Sequence, residues 1–538
     1  MTLETLDVAL LAGALVLLVA VVAVRLSVRV GLPSLLLYLG IGMAVGESGV
    51  GVRFEDAGLT LVLGFAALVV ILAEGGLTTR WDTIRPVFGV GIALATVGVV
   101  VSVAVTAVVA HLALGVEWRI ALLLGAVVSS TDAAAVFSTL RRLPLPPRLV
   151  AALEVESGLN DAPAVLLVSL LASQAWSTTH PAQAAAFVVY ELLAGAVIGL
   201  AIGRIGQEVV ARSALPSAGL YPLAVFALTV LAYAAAGLAH ASGFLAVYLA
   251  ALWLGNARLP HRRATLGFAE GLAWVAQIGL FVMLGLLVSP SRLGAAVLPA
   301  VVVGLGLLLL ARPLSVIAST VAFRTPLRQQ VFLSWAGLRG AVPIVLATIP
   351  LTSGLPEGQR IFDTVFVLVV LFTLVQGPTL PAAARMLRLT DPTQPRELTV
   401  ESAPLEELRA DLLQVSVPPE SKLRGVYLPE LRLPAGAAVT LVVRDNRSFV
   451  PDDGTRINAG DQLLVVATAQ SRAAAERRLH AVSRSGRLAR WFGETGEESR
   501  TAVAVGRSSP AAPFPLLRRF QEAGRRAVQR SSLPRRHR

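Results

Sequence analysis

The sequence predicts an α-helical polytopic membrane protein with about thirteen spanning helices, followed by a small soluble α/β domain. Of the 538 residues, 55% are hydrophobic and only 15% are charged, whereas soluble proteins carry about 25% charged residues. The mean hydropathy is +0.71. Apolar runs follow one another from residue 5 to about residue 385, after which polarity rises sharply. We therefore expect a membrane domain over residues 1–390 and a separate soluble domain after it.

Thirteen windows have the length of about 20 mostly apolar residues that a helix needs to cross a membrane. They lie at residues 5–24, 31–47, 57–77, 87–110, 117–140, 149–173, 183–203, 216–239, 241–256, 269–288, 293–318, 329–351 and 361–384. The second and the ninth window are short, so the count depends most on these two.

The arginines near the ends of these windows and between them alternate between rich and poor sets. Seventeen fall in one set of loops, namely Arg25, Arg29, Arg80, Arg85, Arg141, Arg142, Arg148, Arg204, Arg212, Arg258, Arg262, Arg263, Arg312, Arg324, Arg328, Arg385 and Arg388. The intervening loops hold four, namely Arg53, Arg119, Arg292 and Arg360. Because arginine-rich loops face the cytoplasm, this pattern predicts an N-terminus outside the cell and a soluble domain in the cytoplasm.

The segment ESGLNDAPAV (156–165) has the composition of a polar turn, yet it lies between apolar runs. If it were an aqueous loop, neither apolar flank would be long enough to cross the membrane at 1.5 Å per residue. Read as one element, 149–173 spans the membrane, so the polar cluster lies near its middle. Gly158 and Pro163 offer a helix break there, which is accepted at membrane depth only beside a cavity or site.

The charged residues inside predicted spans include Asp132, Glu156, Asp161 and Arg339, and also Glu74, which lies near a span end and has no assigned function. A charge at the bilayer centre costs roughly 2.5–3.5 kcal/mol, so we expect the first four side chains to face one another inside the bundle. Arginine stays protonated, so Arg339 needs a permanent carboxylate partner, while the other acids stay free to exchange protons. Two structural alternatives remain: Asp132 as an acid that caps a helix break, and Arg339 as a tie between helices.

Helical spacing groups the polar residues of the central segment. Ser157 and Asp161 are four residues apart and share one face, and Glu156 and Asn160 share the neighbouring face. The Ser-Ser-Thr-Asp run at 129–132 adds hydroxyls and backbone carbonyls. Carboxylate, hydroxyl and carbonyl oxygens suit alkali cations. The pattern predicts a carrier site where a monovalent cation and a proton compete.

Three motifs, in this order and spacing, resemble those of the NhaP-type (CPA1) branch of the monovalent cation/proton antiporters. They are SSTDAAAVF (129–137), ESGLND (156–161) and GLRGAV (337–342). The resemblance covers residues 1 to about 390. It implies a homodimer of 13-helix protomers in the cell membrane, each with a core of crossed, broken helices that moves against a dimer domain.

The resemblance also implies which residues bind the transported ions. Asp161 takes the place of the aspartate that holds either a cation or a proton. Thr131 and Asp132 match the threonine–aspartate pair, and Ser157 matches the motif serine. Asn160 stands where electrogenic relatives carry a second aspartate, so electroneutral exchange of one cation for one proton is implied.

A structural ion pair between Glu156 and Arg339 is a further implication of the resemblance. The transported K+ or Na+ is the only metal ion expected, and no cofactor is expected. The sequence also lacks a GxxxxGK[ST] phosphate loop and an HExxH motif, and its six histidines are scattered. These absences argue against an enzyme.

Two other membrane functions compete with the carrier interpretation. A ligand-gated cation channel would combine a pore with the soluble domain as its sensor. Channel filters are typically built from rings of carbonyls or charges around an axis, and no TVGYG-like segment occurs. A non-transporting receptor would have no use for costly charges inside the membrane. Paired acids at membrane depth favour the carrier.

The soluble domain shows strand-like and helical runs separated by turn residues. The predicted strands are ADLLQVSV (410–417), AAVTLVVR (437–444) and DQLLVVAT (461–468), and RAAAERRLHAV (472–482) is a predicted helix. Residues 402–482 resemble the C-terminal ligand-sensing subdomain of potassium-conductance regulators, called the RCK or TrkA C-terminal domain. The resemblance favours K+ over Na+ and implies dimerisation and a small regulator, such as the nucleotide cyclic di-AMP. A ligand-free assembly domain is the alternative.

The end of the chain, residues 484–538, is rich in arginine, serine and proline. From Arg500 onward there are ten arginines and a single acid, Glu522. This composition predicts a disordered basic tail near anionic lipid headgroups. Binding to nucleic acid is not expected for a tail tethered beside a membrane.

Overall fold

A computed structural model describes the chain over residues 3–489. The gaps in this description are residues 31–32, 48, 50, 52–53, 55, 133–135, 137–144, 178–179, 390–399, 406–409, 446, 469 and 487–488. The prediction of a disordered basic tail lies outside the described residues from residue 490 onward. The chain divides into two compact units, Met1–Thr390 and Asp391–Arg538, which are described one after the other.

The first unit is helical throughout its described length. Its helices are α1 (Leu3–Val30), α2 (Ser34–Val45), α3 (Ala57–Thr78), α4 (Trp81–Leu114), α5 (Trp118–Val127), α6 (Pro147–Ala172), α7 (Pro181–Arg212), α8 (Leu220–Leu238), α9 (Gly243–Asn256), α10 (Arg262–Leu286), α11 (Pro290–Phe323), α12 (Leu327–Trp335), α13 (Ala341–Thr352) and α14 (Gly358–Met386). Among the described residues, eight helices are long and apolar enough to cross a membrane, and five shorter apolar helices accompany them. The polytopic helical fold is confirmed, whereas the count of thirteen spans stays a prediction.

Helix α6 is continuous from Pro147 to Ala172, so the predicted break at Gly158 and Pro163 is wrong. Proline inside a helix costs about 3 kcal/mol because one hydrogen bond is lost. Opening the helix inside a membrane would leave several backbone groups unpaired, each at a cost of several kcal/mol. Keeping the helix with one lost hydrogen bond costs less than opening it, so α6 stays helical through the motif.

Arg312 corrects the count of loop arginines. Its side chain is buried inside α11, with 4% of its surface exposed, rather than in a loop. Without Arg312, the rich set of predicted loops holds sixteen arginines against four in the other set, so the predicted alternation persists. Of this count, Arg53, Arg141 and Arg142 lie outside the described residues.

Helix α9 is buried on every side from Ala246 to Gly255. Small residues on α7 allow this close packing: a Cβ atom added at Gly199 would overlap the backbone of Ala246. Such small-residue contacts are a common way to pack helices in membranes, where lipid offers no hydrophobic driving force between them. The packing fixes α9, which carries Tyr248, against the helices around the candidate site.

The second unit contains a five-stranded antiparallel sheet in the order β1-β2-β5-β3-β4. The strands are β1 (Val400–Leu405), β2 (Ala410–Ser416), β3 (Ala437–Arg444), β4 (Arg447–Phe449) and β5 (Gln462–Thr468), and helix α15 (Arg472–Ser485) follows. The three predicted strands and the predicted helix are confirmed. The sequence analysis missed β1, which contains a proline, and β4, which has three residues.

One ion pair ties β3 to the turn before β5. Arg444 donates from Nε and Nη2 to the two carboxylate oxygens of Asp461, at 2.8 Å each. Asp461 is fully buried and also accepts the backbone N–H of Asn458 at 2.7 Å. The hydrogen bond to Asp461 raises the pKa of Arg444 above its usual value. Since the guanidinium is charged at every physiological pH, the pair persists over that range.

Candidate cation site at a crossing of two interrupted helices

Two segments of the first unit are not helical in the described part of the chain, and they are bonded to each other. Residues 128–132 follow the end of α5, and residues 336–340 separate α12 from α13. The backbone N–H of Asp132 donates to the carbonyl of Leu338 at 2.9 Å. Backbone freed from helical bonding is tolerated at membrane depth only where protein or a cavity surrounds it. The break that the sequence placed in α6 therefore occurs at 128–132 and 336–340 instead.

Arg339 lies at this crossing and bonds to backbone carbonyls. Its Nε donates to the carbonyl of Val128 at 2.7 Å, and its Nη1 donates to the carbonyl of Gly337 at 2.9 Å. Both carbonyls follow the C-terminal end of a short helix, where the helix dipole leaves partial negative charge. Arg339 is 2% exposed, so its charge neutralises the ends of α5 and α12.

The predicted ion pair between Glu156 and Arg339 is wrong, because Glu156 pairs with a different arginine. Glu156 pairs with Arg312 through two hydrogen bonds, Nη1 to Oε1 at 2.5 Å and Nη2 to Oε2 at 2.9 Å. Arg312 follows a π-helical turn, Leu307–Ala311, in α11. The planar guanidinium matches both carboxylate oxygens, whereas Arg339 is already held by carbonyls of the crossing.

The Ser-Ser-Thr-Asp run is bonded to the polar face of α6. Ser130 donates its hydroxyl to Oδ1 of Asp161 at 2.5 Å. Ser157 donates to the backbone carbonyl of Thr131 at 2.9 Å, and Asn160 donates to the Thr131 hydroxyl at 2.7 Å. The interrupted segment thus lies directly against the ESGLND motif. These bonds hold hydroxyls, a carbonyl and carboxylates in one place.

A cavity of about 340 Å³ reaches this place. Four of the five predicted binding residues line it, namely Thr131, Asp132, Ser157 and Asp161. The fifth, Asn160, is not among the described lining residues, and its side-chain amide donates a hydrogen bond to the Thr131 hydroxyl. The structure thus brings the predicted residues together and gives Asn160 a positioning contact.

Sequence reasoning missed several residues of this site. Ser130 belongs to the same Ser-Ser-Thr-Asp run, and its position beside Thr131 was the available signal. Glu154, Glu74 and Glu270 also line the cavity. Glu154 precedes Gly158 by one helical turn, a spacing that could have placed it on the polar face of α6. Nothing local in the sequence connects Glu270 of α10 to this face.

The cavity carries a strongly negative lining. Five carboxylates line it, those of Glu74, Asp132, Glu154, Asp161 and Glu270, and no basic side chain is among the described lining residues. These acids differ in exposure: Asp161 is buried, Glu74, Asp132 and Glu154 are half-buried, and Glu270 is exposed. Clefts lined by one sign of charge concentrate ions of the opposite sign, so the cavity draws cations towards Asp161.

The charged groups of the site differ in their partners and in their burial. Arg312 is paired with Glu156, and both are buried. Asp161 is buried and accepts a hydrogen bond from the neutral Ser130 hydroxyl, and Asp132 is half-buried beside it in the cavity. Uncompensated charge in a low-dielectric interior is costly, so a proton or one monovalent cation stabilises the cluster. The arrangement is chemically suited to holding one of the two at a time.

Comparison with known proteins shows the family of the chain. The family described as "Sodium/hydrogen exchanger, transmembrane" matches residues 14–385, and the TrkA-C domain matches residues 412–480. The sodium proton antiporter MjNhaP1 from Methanocaldococcus jannaschii, solved at pH 8, has a similar fold. Its TM-score is 0.62 at 20% identity, over 72% of this chain and 100% of that one.

Two relatives are more similar in sequence. The chain is 36% identical over 503 residues to the K(+)/H(+) antiporter NhaP2 of Shewanella baltica, covering 92% of this chain and 87% of the relative. It is 36% identical over 471 residues to the K(+)/H(+) antiporter NhaP of Alkalimonas amylolytica, covering 86% and 82%. The chain belongs to the sodium/hydrogen exchanger family, whose members are transporters rather than enzymes, and it carries a TrkA-C domain.

Proposed function

We propose that the chain exchanges a monovalent cation for a proton at the carboxylates of Asp161 and Asp132. Ser157 and Thr131 supply hydroxyl and carbonyl oxygens, and Asn160 positions Thr131. The observation that carries the proposal is the bonded crossing of two interrupted segments beside Asp161, at the end of a cavity lined by acids. A cation and a proton compete for the same oxygens there.

The cation favoured by this proposal is K+, with Na+ as the alternative. Two relatives of similar length are named K(+)/H(+) antiporters, and the TrkA-C match supports the same ion. Electroneutral exchange is part of the proposal and is supported by the family resemblance, in which Asn160 stands where electrogenic relatives carry a second aspartate. With Asp161 as the exchanging carboxylate, one K+ or one proton neutralises it in turn, so neither turnover step moves net charge.

The membrane arrangement is part of the proposal. The loop arginines support an N-terminus outside the cell and a C-terminal unit in the cytoplasm. A homodimer in the lipid bilayer is proposed from the family resemblance. Glu74, near the C-terminal end of α3, and Glu270, in the first half of α10, adjoin arginine-rich loops, so the cavity is proposed to open to the cytoplasm.

The purified protein in liposomes tests this function. After a pH gradient is imposed, addition of K+ is expected to dissipate it, and Na+ to dissipate it less at equal concentration. The measurement is the fluorescence of a trapped pH dye over a titration of each cation. Cation conductance that persists without a proton gradient or proton movement would overturn the exchanger and favour a ligand-gated channel.

A separate proposal concerns the soluble unit. We propose that residues 402–482 regulate transport, that a small ligand such as cyclic di-AMP binds there, and that the basic tail at 484–538 contacts anionic lipid. The TrkA-C match over residues 412–480 supports the domain assignment.

Truncation after residue 395 tests the regulatory role. This position follows α14 and precedes β1, so the cut removes the sheet without entering a described membrane helix. We expect the truncated protein to exchange K+ for protons with an altered dependence on pH or added nucleotide. Flux in liposomes with and without cyclic di-AMP measures this. Loss of assembly on truncation, seen by size-exclusion chromatography, would instead support a ligand-free assembly domain.

A further inference from the structure

Helix α6 carries four cavity-lining residues on a single stripe. They are Glu154, Ser157, Gly158 and Asp161, which follow the i, i+3, i+4, i+7 spacing of one helix face. The helix is unbroken here. At 1.5 Å per residue, the carboxylates of Glu154 and Asp161 are anchored about 10 Å apart along the helix. The site described above uses Asp161 and Ser157, and it leaves Glu154 without a role.

Tyr248 of α9 lies against the same stripe. Its ring packs on Gly158, where an added Cβ atom would lie 2.8 Å from the Tyr248 hydroxyl. Glu154 lies one helical turn before Gly158 on the same face of α6. Gly158 leaves room for the ring between the two carboxylates of α6. Tyr248 therefore lines the cavity beside Glu154.

The hydroxyl of Tyr248 is buried and has no hydrogen-bond partner among the described residues. The Thr79 hydroxyl lies near that of Tyr248, but it donates its own proton to the carbonyl of Gly75 at 2.7 Å, and the two hydroxyls do not meet hydrogen-bond geometry. Tyr248 itself is 2% exposed. A buried polar group without a partner is costly and rare, and an unoccupied ligand position is one explanation. The phenolic oxygen has lone pairs for a cation.

We propose that Glu154 and the Tyr248 hydroxyl form a second station for a monovalent cation, about 10 Å from Asp161. This proposal rests on the proposed exchange function and adds a binding position to its pathway. Glu154 supplies the charge, the Tyr248 oxygen supplies a neutral ligand, and water in the cavity completes the shell. The station holds the ion between the exposed Glu270 and the buried Asp161.

The chemistry of the station selects a singly charged ion. The lining acids exclude anions, because no basic side chain is among the described lining residues. Divalent metal sites need several close ligands, and the described residues contain no group of three His, Asp or Glu side chains able to hold a metal ion. One carboxylate and one phenol oxygen hold an alkali ion loosely enough for it to move on.

Thallium(I), a heavy substitute for K+, gives a direct test with the full-length protein. In a structure determined with Tl+, we expect one density peak at Asp161 and a second between Glu154 and the Tyr248 hydroxyl. The second peak should vanish in Glu154→Gln protein while the first remains. A peak at Asp161 with none at Glu154 in the wild type, under saturating Tl+, would overturn the station and leave the proposed function standing.

Transport kinetics give an independent readout. We expect Glu154→Gln and Tyr248→Phe each to raise the KM for K+, by about five- to tenfold for the carboxylate and less for the hydroxyl. The effect should fall on KM more than on kcat, because the station captures the ion before it reaches Asp161. Matched controls are Glu208→Gln and Tyr190→Phe on α7, which lie outside the described lining of the cavity.

The two possible failures are distinguishable in the same liposomes. If wild-type protein exchanges K+ for protons and Glu154→Gln leaves KM unchanged, the station is wrong and the function stands. If the wild type shows no exchange, the proposed function fails, and Tl+ density at Glu154 still decides whether the station exists. Thermal melting of each variant checks that it is folded.

Discussion

Replacing Asp161 with asparagine is expected to abolish exchange of K+ for protons while the protein stays folded. Asparagine keeps the shape of the side chain and can still bond to Ser130, which donates to Asp161 at 2.5 Å. Asparagine has no negative charge to bind a cation and no carboxyl group to take up and release a proton. It can therefore bind neither of the exchanged ions in the way that Asp161 is proposed to do. We expect the flux in liposomes to fall by about a hundredfold or more, as for other losses of an essential acid or base.

Asp363→Asn is a matched control for this substitution. Asp363 and Asp161 are each 6% exposed, but Asp363 bonds to Gln359 and Arg292 and is absent from the described lining of the cavity. We expect the control to retain exchange and both variants to elute and melt as folded protein. Normal proton-coupled K+ flux through Asp161→Asn protein would refute the assignment of Asp161.

Glu156→Gln is expected to damage stability rather than transport chemistry. The substitution leaves the guanidinium of Arg312 buried without its carboxylate, and breaking one side of a buried ion pair costs about 3–5 kcal/mol. We expect poor expression and a lower melting temperature in detergent. Thermal unfolding of purified protein, monitored by tryptophan fluorescence, measures the loss.

A double-mutant comparison identifies the partner of Glu156. The Glu156→Gln/Arg312→Gln protein has lost both charges of this pair, so neither is left unpaired. We therefore expect its melting temperature to be higher than that of either single variant. Adding Arg339→Gln to Glu156→Gln should give no such recovery, because Arg339 bonds to the carbonyls of Val128 and Gly337. If Arg339→Gln, and not Arg312→Gln, raised the melting temperature of the Glu156→Gln protein, the ion pair expected from the sequence would be correct.

Much of the fold was accessible from the sequence, because a membrane restricts what a chain can do. Apolar length located the helices, and strand-like runs between turn residues located β2, β3 and β5. The expectation that Asp161 lies at membrane depth came from the length of the apolar segment 149–173. The cost of a buried charge then predicted that Asp132, Glu156, Asp161 and Arg339 would face one another. Asp132 and Asp161 do share one cavity, whereas Glu156 pairs with Arg312 and Arg339 bonds to backbone carbonyls.

The errors have one physical origin, which is that local pattern does not specify tertiary partners. Arg312 lies near the end of an apolar run and was counted with the loops, although it reaches Glu156 across 156 residues of chain. Gly158 and Pro163 have the composition of a break, but packing and backbone pairing keep α6 helical. Tyr248 carries no local signal at all, and only the packing of α9 on Gly158 brings it to the site.

The unbroken course of α6 also sets how strongly two ions in the cavity would repel. A rigid helix keeps Glu154 and Asp161 at a fixed separation of about 10 Å. Two monovalent cations at that distance repel by roughly 1.5 kcal/mol at an effective dielectric constant of 20. That energy corresponds to about a tenfold loss of affinity. An ion at the proposed station would therefore weaken the binding of a second ion at Asp161.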